Sequence, residues 1–138
     1  MICLLLGSNL GDREWNLERA KAMLAEELKA DMLCSDIKET EAVGFDGPAF
    51  LNQAVCFESD VPPEALLDIC QDIEVALGRP RHAAEYDASG RRIYRNRTID
   101  IDILSYNDLE MVSDRLVLPH PQIGERPFVK ELLNDITI

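Results

Sequence analysis

Soft ligands and nucleophiles are scarce in this sequence. There are two histidines, and the four cysteines (Cys3, Cys34, Cys56, Cys70) show neither CxxC spacing nor a histidine at ligand spacing. No Ser, Cys or His sits in an arrangement that would activate it as a nucleophile. Three cysteines fall in strand-like runs and one in a helical stripe, so all four are expected as reduced core thiols. Positive charge is also short: 14 Lys and Arg face 26 Asp and Glu, a net charge of −12. That argues against general binding to nucleic acid or anionic membranes. No apolar run is long enough to span a bilayer, and Ile2–Leu6 is too short for the core of a signal peptide. Repeats, low-complexity tracts and interdomain linkers are missing as well. A single domain over residues 1–138, soluble and cytoplasmic, is the expectation, and its length suits a real core.

What is present is concentrated in one stretch, Arg97-Thr98-Ile99-Asp100-Ile101-Asp102-Ile103-Leu104. Ile99, Ile101 and Ile103 alternate with Thr98, Asp100 and Asp102, the period of a strand with one buried side. Residues two apart on a strand are separated by roughly 6.6–7 Å. Asp100 and Asp102 therefore project together from a rigid element, which is unfavourable unless a cation lies between them. Just upstream, residues 79–97 hold six arginines (79, 81, 91, 92, 95, 97) against Glu85 and Asp87. The chain's −12 less this local +4 leaves −16 elsewhere. Such a basic island is either a solvated charge run or a site for a polyanion.

The remaining elements follow from periodicity and punctuation. Met1–Leu6 reads as a buried strand, and Gly7 to Asp12 as a turn. Gly7 and Gly11 invite comparison with a phosphate loop, but the GxxxxGK[ST] pattern is absent and a tight strand-to-helix turn is the simpler reading. Asp12 is the N-cap of a helix running to about Lys29, with Leu17, Ala20, Leu24 and Leu28 inward. Asp31–Thr40 reads as a strand with Met32, Cys34 and Ile37 inward. A loop with Gly44, Gly47 and Pro48 leads to a strand over Phe50–Ser59. Phe50 and Asn52 share a face there, and Asn52 either satisfies local backbone groups or reads the edge of a flat heterocycle. Val61-Pro62-Pro63-Glu64 opens a second helix with Leu66, Ile69, Cys70, Ile73 and Leu77 inward and Gly78 as its stop. Gln71 and Glu74 share a flank of it. Residues 82–96 lack apolar periodicity and read as a long loop. Beyond the Ile99–Leu104 strand come a weak edge strand at Glu110–Val112, a short helical turn at Ser113–Leu116, an extended Leu118-Pro119-His120-Pro121 and a helix at Phe128–Asn134. On its residues alone His120, between two prolines, is a turn residue. The order fits an α+β, ferredoxin-like two-layer sandwich: a mainly antiparallel sheet, helices on one face, and the active site on the other side.

Five segments, in order, resemble the motifs of the 6-hydroxymethyl-7,8-dihydropterin pyrophosphokinase family. They are Leu6-Gly7-Ser8-Asn9-Leu10-Gly11-Asp12, Phe50-Leu51-Asn52, Ile73-Glu74 with Gly78-Arg79, Arg97-Thr98-Ile99-Asp100-Ile101-Asp102-Ile103, and Pro119-His120 with Arg126-Pro127-Phe128. The resemblance implies transfer of pyrophosphate from ATP to the hydroxymethyl group of the dihydropterin, releasing AMP, in folate biosynthesis. It implies that Asp100 and Asp102 hold two Mg²⁺ ions. Phe50 and Phe128 would sandwich the pterin, Asn52 would read its edge, and Thr40, Ala42 and Val43 would assist. Gln71, Glu74, Arg79, Arg81, Arg97, Ile103, His120 and Arg126 would contact ATP. Arg79, Arg91 and Arg92 would act with the two aspartates in catalysis. Small molecules are then the only partners expected, with no nucleic acid, no membrane and a monomeric chain. The alternatives are a catalytically impaired nucleotide- or pterin-binding module of the same fold, and an RNA-binding domain, which the −12 charge disfavours.

Overall fold

The computed structural model describes residues 1–42, 47–78, 88 and 98–136. Strand β1 (Ile2–Ser8) is followed by helix α1 (Arg13–Leu28), short strands β2 (Leu33–Cys34) and β3 (Lys38–Thr40), and strand β4 (Phe50–Phe57). Helix α2 (Pro63–Ala76) and strand β5 (Asp100–Tyr106) come next. The C-terminal part holds β6 (Met111–Val112), β7 (Val117–Leu118), α3 (Gln122–Glu125) and α4 (Pro127–Asp135). The sheet order is β2-β4-β1-β5, with β3 also pairing β4, and every pairing is antiparallel. With β2 and β3 taken as two halves of one edge strand, this is the expected ferredoxin-like arrangement.

Local signals place the two long helices. The Asp12 carboxylate accepts the Trp15 N–H at 3.0 Å, capping α1, and Lys29 ends it in the left-handed region at φ 52°. Gly78 closes the end of α2 at φ +104°, a conformation that favours glycine. Both helices lie on one face, where Leu17, Ala20, Leu24, Leu66, Cys70 and Ile73 pack against Ile2, Leu4, Leu6, Val55, Ile101 and Ile103.

Five expectations need correction. The Asp31–Thr40 segment is two strands, because the Ser35 hydroxyl, in place of its carbonyl, accepts the Ala54 N–H while that carbonyl accepts from Gln53, and the register against β4 shifts by one residue before Lys38; Cys34 and Ile37 are exposed. Gly7 is inside β1, opposite Asn52 and Asp100, and is not a turn residue. Ser113–Leu116 is the loop of the β6–β7 hairpin, closed by Ser113 N–H to Leu116 O, and not a helical turn. The outer sheet face is not wholly open: α4 covers half of it, with Val129 and Leu132 on Leu5, Ala54 and Leu104. Leu104 follows Asp100 and Asp102 onto that face by the strand's own alternation, and a bulge between Cys3 and Leu4 shifts the β5 register only beyond it. Finally, Cys3 and Cys56 are joined by a disulfide. They are opposite each other on adjacent strands, with Cα atoms 4.2 Å apart, although 53 residues separate them in sequence.

The two remaining cysteines differ in kind. Cys34 is exposed, whereas burial, and after it the charges of Glu74 and Asp102, push the Cys70 thiol well above its ordinary range. A raised pKa keeps Cys70 protonated and unreactive at pH 8. Brief alkylation of native protein at that pH should therefore label Cys34 and spare Cys70, which mass spectrometry should find modified only after unfolding.

Candidate active site

The outer half-face that α4 leaves uncovered is set by strand register. Lys38, Asn52, Gly7 and Asp100 lie in register across β3, β4, β1 and β5, and Ala54, Leu5 and Asp102 form the next row. Residues in register share a face, and with strands about 4.8 Å apart the first row spans about 14 Å. Gly7 is the low point of the row. A Cβ there would lie 3.4 Å from Asn52 Oδ1 and 3.6 Å from the Phe50 ring. The missing side chain keeps a trough open between the amide and the carboxylate.

One wall of the trough is polar and aimed. Asn52 Nδ2 donates to Lys38 O at 3.1 Å and to Thr40 Oγ1 at 2.8 Å, which uses both amide hydrogens. Oδ1 is left as an acceptor beside the Gly7 trough, so a ligand reading this wall must present N–H donors. Phe50, at the start of β4, is on the same face. On the α4 side Phe128 packs against the Leu5–Ala54–Leu104 cluster, and the Arg126 guanidinium lies over its ring at 4.4 Å. Phe50 and Phe128 are thus both on the outer face, one on the sheet and one on the helix above it.

The carboxylates occupy the sheet's last strand. Asp100 is 9% exposed, and Asp102, two residues on, projects to the same face. As an edge strand β5 has a row of outward N–H and C=O groups to satisfy. Glu74 Oε2, from α2, accepts the Ile101 N–H at 2.8 Å, between the two aspartates. His120 N–H donates to Leu104 O at 2.8 Å, immediately after the Leu118–Pro119 cis peptide. Glu74 is itself 8% exposed. Two carboxylates form an all-oxygen donor set, and among the described residues no group of three or more His, Cys, Asp or Glu converges. That composition fits Mg²⁺, which is commonly bound through one or two carboxylates with phosphate and water oxygens completing its shell.

The remaining candidates fall around this core. Thr40 ends β3, and Ala42 follows it half-buried. Gln71 is half-buried on α2, one turn before Glu74. His120 and Arg126 flank α3. Ile103 is 2% exposed, with its side chain in the core beneath the helices, so only its backbone is available to a ligand. Val43, Arg79, Arg81, Arg91, Arg92 and Arg97 lie outside the described residues. The flanking residues do meet: a Cβ on Gly78 would lie 3.9 Å from the Thr98 side chain, so both chain ends bounding the basic segment are beside β5.

Sequence reasoning missed the anchors of the opening motif. Ser8 and Asn9 are almost fully buried; Asn16 Nδ2 donates to Ser8 Oγ and Leu10 O, while Asn9 Nδ2 donates to Pro48 O at 3.1 Å. Arg13 adds a bond to Ala49 O at 2.9 Å. Residues 9–13 therefore hold the segment that leads into Phe50. Two adjacent polar residues after an apolar strand were the available signal.

Comparison with known proteins gives a single family. Residues 3–138 match 7,8-dihydro-6-hydroxymethylpterin-pyrophosphokinase (HPPK). A 2-amino-4-hydroxy-6-hydroxymethyldihydropteridine pyrophosphokinase of Porphyromonas gingivalis is 41% identical over 138 residues, covering 99% of this chain and 90% of the relative. The Bacillus subtilis protein of the same name is 38% identical over 135 residues, covering 96% and 75%. A folate synthesis bifunctional protein of Arabidopsis thaliana is 34% identical over 136 residues, 98% of this chain but 26% of that protein.

The Glu74 bond to β5 can be tested by stability. Glu74→Leu orphans the Ile101 N–H, so its unfolding free energy in urea should fall by about 1–3 kcal/mol. Glu74→Gln keeps an acceptor oxygen and should retain most of it.

Proposed function

Because the chain belongs to the HPPK family, we propose that it transfers pyrophosphate from ATP to the hydroxymethyl group of 6-hydroxymethyl-7,8-dihydropterin, in folate biosynthesis. The observation that carries this reading is the in-register row: an acceptor amide, a side-chain-free trough and a carboxylate pair on one face. The amino and ring N–H donors of a pterin match Asn52 Oδ1, and Phe50 and Phe128 offer it aromatic faces. Across the trough its hydroxymethyl arm would point toward Asp100 and Asp102.

In the reaction the hydroxymethyl oxygen forms a bond to the β-phosphorus of ATP. The bond from that phosphorus to the oxygen bridging it to the α-phosphorus breaks, AMP leaves, and the hydroxyl proton passes to solvent. Such transfers depend on positioning and charge neutralisation more than on covalent catalysis. Asp100 and Asp102 would hold two Mg²⁺ ions, which when bound neutralise phosphate charge and acidify a coordinated hydroxyl. Glu74 keeps the strand between the two aspartates fixed. Gln71, Glu74, His120, Arg126 and the Ile103 backbone would contact the nucleotide, as the resemblance implies. Arg79, Arg81, Arg91, Arg92 and Arg97 would supply guanidinium groups to the triphosphate, as the resemblance implies. One chain would provide every group named, so a monomer would suffice.

The test is AMP release with Mg²⁺, ATP and the dihydropterin, each omitted in turn. AMP should appear only when all three are present. Asp100→Asn and Asp102→Asn should lower kcat by orders of magnitude with circular dichroism unchanged. Gly7→Val should raise the dihydropterin KM at least tenfold, because the new side chain fills the trough. Dihydropterin binding without AMP formation by folded wild type would contradict the reading and favour a binding module.

A further inference from the structure

Lys38 touches both walls of the trough. Its backbone carbonyl accepts Asn52 Nδ2, fixing the amide that points its oxygen over Gly7. Its side chain leaves the same outer face and pairs with Glu131 Oε2 at 2.5 Å, 93 residues away. Glu131 is on α4, three residues after Phe128, so the two share a flank of that helix. The apolar seat of α4 on Leu5, Ala54 and Leu104 is non-directional and does not by itself fix how the helix slides over the sheet. A charge-assisted bond between β3 and α4 adds a directional constraint.

We propose that Lys38 is a positioning residue for the heterocycle: the Lys38–Glu131 pair sets the spacing between the Asn52 wall and the Phe128 wall. The proposal rests on the reading that this trough takes the dihydropterin. Lys38 is on β3 and Glu131 one turn beyond Phe128 on α4, both away from the β5 edge, so the effect falls chiefly on pterin affinity. Both side chains are about half exposed, at 45% and 60%. The pair is accordingly worth a few-fold in affinity, not orders of magnitude, and weakens with salt.

The experiment measures steady-state constants and calorimetric dihydropterin binding for full-length Lys38→Met, Glu131→Gln, the double variant, and the exchanged pair Lys38→Glu with Glu131→Lys. The dihydropterin KM and Kd should rise about two- to fivefold in each single variant. The double variant should be no worse than either single, the exchanged pair should recover, kcat should hold, and the ATP KM should move less than the dihydropterin KM. Added salt should weaken pterin binding in wild type and not in Lys38→Met. Unchanged pterin constants, additive effects in the double variant, no recovery on exchange, or an equal rise in the ATP KM would each overturn the clamp. Absence of AMP from wild type that binds the pterin would instead count against the proposed reaction and leave the clamp to be judged on Kd.

Discussion

The register of β1 against its two neighbours is the constraint on which this site depends. A slip of one residue in an antiparallel ladder sends every side chain to the opposite face. Here the ladder places Gly7 between Asn52 and Asp100, and Leu5 between Ala54 and Asp102. The odd positions of β1 thus serve two purposes on the outer face: Leu5 seats α4, and Gly7 leaves the trough. Ile2, Leu4 and Leu6 bury the helix layer on the inner face, which makes any other register costly. Core packing and site geometry are two consequences of one pairing.

An acidic chain that handles a triphosphate must separate its charges, and the fold does this along β5. Asp100, Asp102 and Glu74 gather at one end of the strand, and beside burial the charges of Glu74 and Asp102 reach even the Cys70 thiol. That end is where Gly78 and Thr98 meet, so the arginine-rich segment is tethered to it at both ends. Glu74 and the His120 backbone satisfy the strand's free edge, so the carboxylates project from a strand held on both sides.

Period and punctuation made most of the architecture legible. The isoleucine alternation placed β5, the Leu17–Ala20–Leu24 stripe placed α1, and the prolines at 62 and 63 opened α2. The paired aspartates were visible because period two needs no tertiary information. What could not be read depended on pairing between distant segments. Gly7 looks like a turn glycine until Asn52 is placed beside it. Cys3 and Cys56 look like ordinary core thiols until they face each other in register. Ser35 breaks its strand because of Ala54, and the β5 register shifts beyond Leu104 because of a bulge opposite Cys3 and Leu4. Lys38 and Glu131 carry no local signal, since their meaning comes from α4 folding back over β3.

The most direct measurement follows the label from ATP carrying isotopic phosphorus in the γ position, in the presence of Mg²⁺ and the dihydropterin. Transfer of pyrophosphate predicts that the label appears in the pterin ester in step with AMP, and that none appears in orthophosphate. Label recovered as orthophosphate with ADP, or remaining wholly in ATP while the dihydropterin is bound, would contradict a pyrophosphoryl-transfer site on the outer face of this sheet.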